Sequence, residues 1–372
     1  MAGEEWCKQQ IYRAVTEGKA DIVLVEGAMG LFDGNDCSAD LAAKFGIPVV
    51  LIMDVRAMAE TAAAIAVGLR NHRDDFEMVG VVANKCGSNY HGKLVGDALP
   101  DDLPLWAALK RDESVELPER HLGLVQPSEQ TEDWIESRFE SGADMLEEAG
   151  ILPFLEKLKP VQFMPQQIPD VCPDALSGKI IAIARDEAFS FTYAANITLL
   201  QDMGAKICYF SPLHDDSIPV KVTGIWLPGG YPELHAKKLS ENTSMVSSLK
   251  RFHEDGKPIL AECGGFLYCM DTLIDLEGNQ WKMLGLLKGT GQMTSKLGGL
   301  GMQIAPLPEG EIRAHTFHHS KSSGTPDPIC HGVRRCGPSL GEDVFRIGSL
   351  TATYMHMFFP SHAEAVAKLF VI

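Results

Sequence analysis

The fold and the chemistry of this chain are indicated by residues 261–268, which read Ala-Glu-Cys-Gly-Gly-Phe-Leu-Tyr. They follow the apolar run Pro258–Leu260 and lead into a helix-like segment, so the sequence predicts a tight strand-to-helix turn at Cys263. A cysteine on such a turn is held out for attack, and the helix N-terminus favours its thiolate. The two glycines that follow allow the turn and leave N–H groups free for an oxyanion. Cys263 is therefore a candidate nucleophile; the alternative is a buried structural cysteine.

Two further segments fit this pattern. Residues 224–233 read Gly-Ile-Trp-Leu-Pro-Gly-Gly-Tyr-Pro-Glu, an apolar strand that ends in two glycines. In a parallel sheet, both strand ends open on the same edge, where ligands bind. Residues 352–356 read Ala-Thr-Tyr-Met-His and place His356 at the end of a β-branched and aromatic run. Because a catalytic cysteine needs a base close by, we expect His356 to be that base.

The composition is that of a cytoplasmic enzyme. With 372 residues, 45% of them hydrophobic, the chain can fill two α/β cores of ordinary size. A formal net charge of −17 argues against nucleic acid or an anionic membrane as a partner. The nine cysteines are scattered without metal-type spacing, which indicates reduced thiols.

The sequence divides near residue 165. We expect one domain over residues 1–160, a proline-rich linker over 161–178 and a second domain over 179–372. In the first domain, the apolar runs at 21–26, 48–54 and 77–84 have the character of buried parallel strands and alternate with helical segments, which predicts a doubly wound sheet. In the second, the predicted sheet strands are residues 179–184, 206–211, 223–227 and 258–261.

These segments together resemble a known family. Residues 179–372 resemble the triad-type glutamine amidotransferase domain of the cobyrinic acid a,c-diamide synthase family. Segments of the first domain resemble the same family, so the resemblance covers nearly the whole chain. The matching segments are residues 183–191, 227–233, 262–265 and 354–356, with residues 25–34 and 117–124 upstream. The resemblance implies an α/β architecture: a P-loop NTPase-like (dethiobiotin synthetase-like) parallel sheet domain, followed by a class I glutamine amidotransferase-like α/β domain.

The resemblance also implies a reaction. With ATP and Mg²⁺ the enzyme would activate a side-chain carboxylate of a tetrapyrrole, here the a and c acetates of cobyrinic acid, as an acyl phosphate. Ammonia released from glutamine would then attack it. Cys263 would form a γ-glutamyl thioester and His356 would serve as the base, while backbone N–H groups of Gly229, Gly230 and Gly264 would hold the oxyanion.

The sequence and the resemblance also indicate candidate site residues in the first domain. Glu26 ends an apolar run and Asp33 lies beyond two glycines, so both could face a Mg²⁺–phosphate cluster; the alternative is a turn with solvated acids. The resemblance implies that Asn84, which follows a strand, reads the nucleotide base; an ordinary turn residue is the alternative. Arg120 and His121 would pair with substrate carboxylates, or they would form a structural cap between the domains.

One family feature is missing from the sequence. Family members begin with a strand and a P-loop that holds the ATP phosphates, but no G-x-x-x-x-G-K-[ST] pattern occurs here and only 24 residues precede Val25. We therefore expect a truncated chain or one half of a split enzyme. The expected partner is a separate P-loop-bearing chain, or the protein forms a homodimer. A glutaminase-only fragment or subunit is an alternative function, and a noncatalytic binding protein is another, although Cys263 and His356 count against the latter.

The histidines of the second domain differ from the family pattern. Residues 314–320 read Ala-His-Thr-Phe-His-His-Ser, and position 358, where the family carries a second histidine, holds Phe358. These changes would suit a related tetrapyrrole such as siroheme, which stays open as an alternative substrate. A metal site on His315, His318 and His319 would lack a fourth ligand and the usual spacing.

Overall fold

A computed structural model of the protein describes residues 1–117, 131–166, 172–335 and 340–371. The chain forms two compact units: the N-terminal unit, Glu4–Gln167, and the C-terminal unit, Ile168–Ile372 with Met1–Gly3. Within the described ranges, we find no helix that combines the length and the apolar character needed to cross a membrane.

The N-terminal unit is built on a three-stranded parallel sheet in the order β1-β2-β3. Its strands are β1 (Val49–Asp54), β2 (Met78–Cys86) and β3 (Leu105–Lys110). Its helices are α1 (Glu4–Gly18), α2 (Ser38–Phe45), α3 (Thr61–Asn71), α4 (Asn89–Ala98), α5 (Glu132–Glu148) and α6 (Leu152–Leu155). The sheet and α3 share a core that includes Val81, Ala83 and Ala66.

One predicted strand of this unit is wrong. Residues 21–26 form no strand and are exposed, with Leu24 at 87% exposure. A strand needs a neighbour that accepts and donates its backbone hydrogen bonds, and no described strand pairs with this run or with the outer edge of β1. Apolar character alone therefore does not place residues 21–26 in the sheet.

The C-terminal unit contains most of the regular structure. Its strands are β4 (Ile180–Ala184), β5 (Lys206–Phe210), β6 (Gly224–Leu227), β7 (Ile259–Glu262), β8 (Met270–Ile274), β9 (Gln280–Lys282), β10 (Leu287–Met293), β11 (Gly299–Leu307), β12 (Gly310–His318), β13 (Ser320–Ser323), β14 (Cys330–His331), β15 (Val333–Arg334), β16 (Asp343–Ile347), β17 (Leu350–Thr353) and β18 (His356–Met357). Its helices are α7 (Ala194–Asp202), α8 (Ala236–Glu241), α9 (Thr243–Glu254), α10 (Gly264–Cys269) and α11 (Ala363–Phe370).

Seven of these strands form the main sheet, in the order β14-β16-β17-β7-β6-β4-β5. The five strands from β17 to β5 run parallel, so the carboxyl ends of β4, β6, β7 and β17 meet at one edge. Every residue of β6, β7 and β17 is buried, because apolar clusters cover both faces of the sheet. This two-sided burial explains why the strands read as continuous apolar runs.

Two smaller sheets complete the unit, in the orders β13-β10-β8-β9 and β15-β11-β12-β18. The second of them contains His356. The predicted run at residues 352–356 is therefore divided: β17 ends at Thr353, and His356 begins β18, which pairs with β12 in another sheet.

Candidate active site

Cys263 lies on a strained turn between β7 and α10. Its backbone has φ 47° and ψ −102°, in the left-handed region that residues with side chains rarely adopt. Such a conformation costs on the order of 1–3 kcal/mol and persists only where its surroundings hold it. The Cys263 N–H donates to the Thr353 carbonyl at 2.8 Å, and a Cβ on Gly265 would lie 2.1 Å from the Leu227 carbonyl oxygen. The predicted strand-to-helix turn at Cys263 is confirmed.

The thiol of Cys263 is buried, with 7% of the residue exposed. Burial raises the pKa of this thiol to about 12; the carboxylates of Glu233, Glu262 and Glu342 also raise it, while the Gly264 N–H opposes them. The Gly264 N–H at the start of α10 does favour the thiolate, as expected, but burial shifts the pKa of the thiol further in the opposite direction. The resting group is a neutral thiol that needs a base.

His356 lies beside the glycine-rich turn that follows β6. A Cβ on Gly229 would lie 2.3 Å from Cε1 of His356, so the imidazole rests on the backbone of that glycine. Burial, together with smaller contributions from the neighbouring His315 and His318, lowers the pKa of His356 to about 4. The imidazole is therefore neutral at neutral pH and able to accept a proton.

The glycines after β6 pack directly against two other segments. Gly230 has φ 156°, and a Cβ on it would lie 2.1 Å from the Ala188 carbonyl oxygen. A Cβ on Gly264 would lie 2.9 Å from the nitrogen of Gly230. Within the described ranges the Gly230 N–H donates no hydrogen bond, so it is available to a ligand. The backbone around the predicted oxyanion donors leaves no room for side chains.

The structure thus brings the predicted residues of the C-terminal unit to one edge of the main sheet. His356 touches Gly229, and Gly264, the residue after Cys263, touches Gly230. The Cys263 sulfur also lies 4.0 Å from the Phe317 carbonyl oxygen on β12, the strand that pairs with β18. A thiol, a neutral imidazole and the free Gly230 N–H are groups that nucleophilic attack on an amide carbonyl uses.

Sequence reasoning missed the glutamate that precedes the nucleophile. Glu262 is 1% exposed, and its carboxyl group accepts hydrogen bonds from the Trp226 indole N–H and the Met357 backbone N–H, both at 2.9 Å. Burial raises its pKa to about 8, although the two N–H donors oppose this shift. The available signal was a carboxylate at the end of an otherwise apolar strand, because such a group is rarely buried without partners.

Two histidines of the 314–320 segment lie near His356, but each has its own contacts. His315 lies opposite His356 in the β12–β18 pairing. The His318 ring stacks on Tyr354 at 3.8 Å, with its Nε2 3.4 Å from a carboxylate oxygen of Glu342. Among the residues described, no group of three His, Cys, Asp or Glu side chains is arranged to hold a metal ion.

The candidate residues of the N-terminal unit are less organised. Glu26 and Asp33 are both exposed. Asn84 lies at the carboxyl end of β2, opposite Asp54 on β1, and its amide oxygen accepts the Lys85 N–H at 2.9 Å. That bond is typical of a turn residue. The magnesium and nucleotide roles of these residues stay predictions.

The two candidate substrate residues, Arg120 and His121, lie outside the described residues. Their predicted contacts with substrate carboxylates therefore stay a prediction.

Comparison with known proteins identifies the relatives of this chain. Residues 180–364 match the family model of the CobB/CobQ-like glutamine amidotransferase domain. The chain is 42% identical over 371 residues to a hydrogenobyrinate a,c-diamide synthase of Pseudomonas aeruginosa. This alignment covers 99% of the present chain and 83% of the relative. It is also 40% identical over 375 residues to a cobyrinate a,c-diamide synthase of Herminiimonas arsenicoxydans. That alignment covers 100% of the present chain and 82% of the relative.

The chain belongs to the cobyrinate a,c-diamide synthase family. The resemblance inferred from residues 183–191, 227–233, 262–265 and 354–356 is confirmed. A solved glutamine amidotransferase structure is also similar, with a TM-score of 0.36, 13% identity and coverage of 51% of this chain and 96% of that one. The α/β glutamine amidotransferase-like fold predicted for the second domain is confirmed by the family model, whereas the P-loop NTPase-like character of the first stays a prediction.

Proposed function

We propose that this chain catalyses the glutamine-dependent amidation of the a and c acetate side chains of cobyrinate or its metal-free form, hydrogenobyrinate. The observation that carries the proposal is the Cys263 turn packed against Gly230, with the neutral His356 against Gly229, in a member of the a,c-diamide synthase family. The relatives named for cobyrinate and hydrogenobyrinate do not favour the siroheme alternative.

The glutaminase step follows from the protonation states of the site. The Cys263 sulfur attacks the side-chain amide carbon of glutamine, and His356 takes the thiol proton. A C–S bond forms and the C–N bond breaks; His356 returns the proton to the departing nitrogen, which leaves as ammonia. Water then hydrolyses the thioester to glutamate.

The pKa values indicate when the proton moves. Burial raises the pKa of the thiol and lowers the pKa of the imidazole, so proton transfer before attack is unfavourable. Transfer is therefore coupled to C–S bond formation, where the N–H groups of Gly230 and Gly264 stabilise the developing oxyanion by about 3 kcal/mol each.

The synthetase step is assigned to residues 1–160, with residues 161–178 as linker and 179–372 as the glutaminase domain. ATP would activate the tetrapyrrole carboxylate in that first domain. The described residues form no preformed metal site, since Glu26 and Asp33 are exposed and Asn84 bonds its own turn.

The test uses the full chain with glutamine, MgATP and hydrogenobyrinic or cobyrinic acid. Glutamate release is measured by a coupled assay, and mono- and diamide products by mass spectrometry. Cys263→Ala should abolish glutamate release and glutamine-dependent amidation, while ammonium chloride should restore amidation. Cys172→Ala, at an exposed cysteine, is the matched control and should behave as wild type.

Two outcomes would overturn the proposal. Full glutamate release by Cys263→Ala would remove the nucleophile assignment. Glutamine hydrolysis without amide product from either glutamine or ammonia would instead support the glutaminase-only alternative.

A further inference from the structure

One buried carboxyl group connects the three elements that hold the site. Glu262 ends β7, directly before Cys263. One of its oxygens accepts the backbone N–H of Met357, the residue after His356, and the other accepts the indole N–H of Trp226 on β6. The side chain therefore bridges the nucleophile strand, the base strand and the strand that leads to the oxyanion glycines.

His356 itself lacks the usual means of orientation. A catalytic base is normally held by a third group bonded to its second ring nitrogen. Across the described part of the chain, no group hydrogen-bonds the His356 ring. Its backbone is held instead: Asn196 donates to the Met357 carbonyl and accepts from the Phe359 N–H, both at 2.8 Å, while Glu262 accepts from Met357. The position of the imidazole is thus set through the chain that carries it.

We propose that Glu262 is a positioning residue for the glutaminase reaction, which holds His356 in line with Cys263 through the Met357 N–H. The inference rests on the proposed function, because it assigns a role within that same site. Burial makes such a carboxyl group expensive, since an apolar side chain of similar size would avoid its desolvation. Glu262 is buried next to the nucleophile despite this desolvation cost, and we attribute this to its role in placing His356.

Two substitutions of Glu262 distinguish a positioning role from a role in packing alone. Glutamine has the shape of glutamate but only one acceptor oxygen, so Glu262→Gln leaves either the Met357 or the Trp226 N–H without an acceptor. Glu262→Asp keeps the carboxyl group but is one methylene shorter, so it cannot reach both donors. A displacement of about 1 Å between reacting groups can cost on the order of 100-fold in rate.

The experiment measures glutamate release against glutamine concentration in the full chain. Glu262→Gln and Glu262→Asp should lower kcat at least about tenfold, with KM for glutamine within about threefold of wild type. The matched control is Glu309→Gln, which removes a carboxylate that bonds Arg346 at 2.6 and 3.1 Å outside the site. Its kcat should be unchanged, whatever happens to its thermal stability.

A second variant isolates one of the two bonds. Trp226→Phe removes the indole N–H but leaves the bond between Glu262 and Met357, so its kcat should fall less than that of Glu262→Gln. If Glu262→Gln does not fold, Glu262→Asp and Trp226→Phe provide the test.

Several outcomes would overturn the inference. Wild-type kcat in a folded Glu262 variant would do so. So would losses of kcat that follow the unfolding temperature equally in the Glu262 and Glu309 variants, since that would indicate a structural role. Activity retained by Cys263→Ala would instead refute the proposed function, and inactive Cys263→Ala beside fully active Glu262→Gln would refute this inference alone.

Discussion

Two apolar runs of this chain have nearly the same sequence character and opposite structures. Residues 22–27 read Ile-Val-Leu-Val-Glu-Gly, and residues 259–264 read Ile-Leu-Ala-Glu-Cys-Gly. The first run forms no strand and is exposed. The second forms β7, which is buried throughout between β6 and β17. Their glutamates differ accordingly, because Glu26 faces solvent and Glu262 is enclosed.

The difference shows that an apolar run becomes a buried strand only where neighbouring strands pair with its backbone. β7 has a parallel partner on each side and apolar clusters above and below it, so its backbone groups are paired and its side chains leave water. Residues 22–27 have no such partners among the described strands. The same local signal therefore leads to a buried strand with a strained turn in one unit and to an exposed segment in the other.

Hydrogen exchange should give the largest contrast. Amides of residues 259–262 should exchange at least about 10⁴-fold more slowly than their intrinsic rates, because opening a central strand costs close to the global unfolding free energy of about 5 kcal/mol or more. Amides of residues 22–25 should exchange near their intrinsic rates. Mass-spectrometric exchange of the native chain measures both; equal protection would show that the first run is a paired strand after all.

The second largest contrast is expected in how the unfolding free energy depends on pH through Glu262 and through Glu26. The pKa of Glu262 is raised from 4.5 to about 8 in the folded chain, so its contribution favours folding below about pH 4.5 and is lost as pH rises through 8. Between pH 5 and pH 9, wild type should lose about 4 kcal/mol of unfolding free energy relative to Glu262→Gln. Denaturant unfolding at both pH values measures this. Glu26→Gln should stay within about 0.5 kcal/mol of wild type, as is usual for a surface substitution.

Alanine at one glycine near each run should have a smaller effect. In Gly265→Ala the new Cβ would lie 2.1 Å from a backbone carbonyl oxygen, so the loss of unfolding free energy should be at least about 3 kcal/mol. In Gly27→Ala the nearest atom is the Ser38 hydroxyl, a movable side-chain group, at 2.6 Å. We expect a loss below about 1 kcal/mol there. A tolerated Gly265→Ala would contradict the close packing of α10 on β6.

The smallest contrast is kinetic. His356→Ala should slow glutamate release by at least about 100-fold, the scale of a lost general base. Glu26→Gln should leave glutamine hydrolysis unchanged, because it removes no group of the glutaminase site. Steady-state assays of both variants at saturating glutamine test this; an unaffected His356→Ala would move the base to another residue, with His315 the first candidate.

The sequence predicted the C-terminal unit well because its signals are local. A parallel strand buried on both faces reads as a continuous apolar run, and a reactive turn requires small residues after Cys263. Those features identified β4, β6, β7, the turn and the segment that carries His356.

Other features depend on contacts that local sequence does not contain. Glu262 bonds Met357, 95 residues later in the chain, so its role was invisible before the fold was known. The placement of His356 in a sheet separate from β17, and the raised pKa of the Cys263 thiol, likewise depend on packing between distant segments. The absence of a partner strand next to residues 21–26 is of the same kind.

The division of the site over distant segments also has a consequence for synthesis. While the ribosome has produced the chain only to residue 350, the cysteine exists without its base and without β17, the strand that holds its N–H. The glycine turn after β6 then faces no imidazole. On the proposed mechanism, a nascent chain that lacks residue 356 should hydrolyse glutamine at least about 100-fold more slowly than the chain with His356 in place.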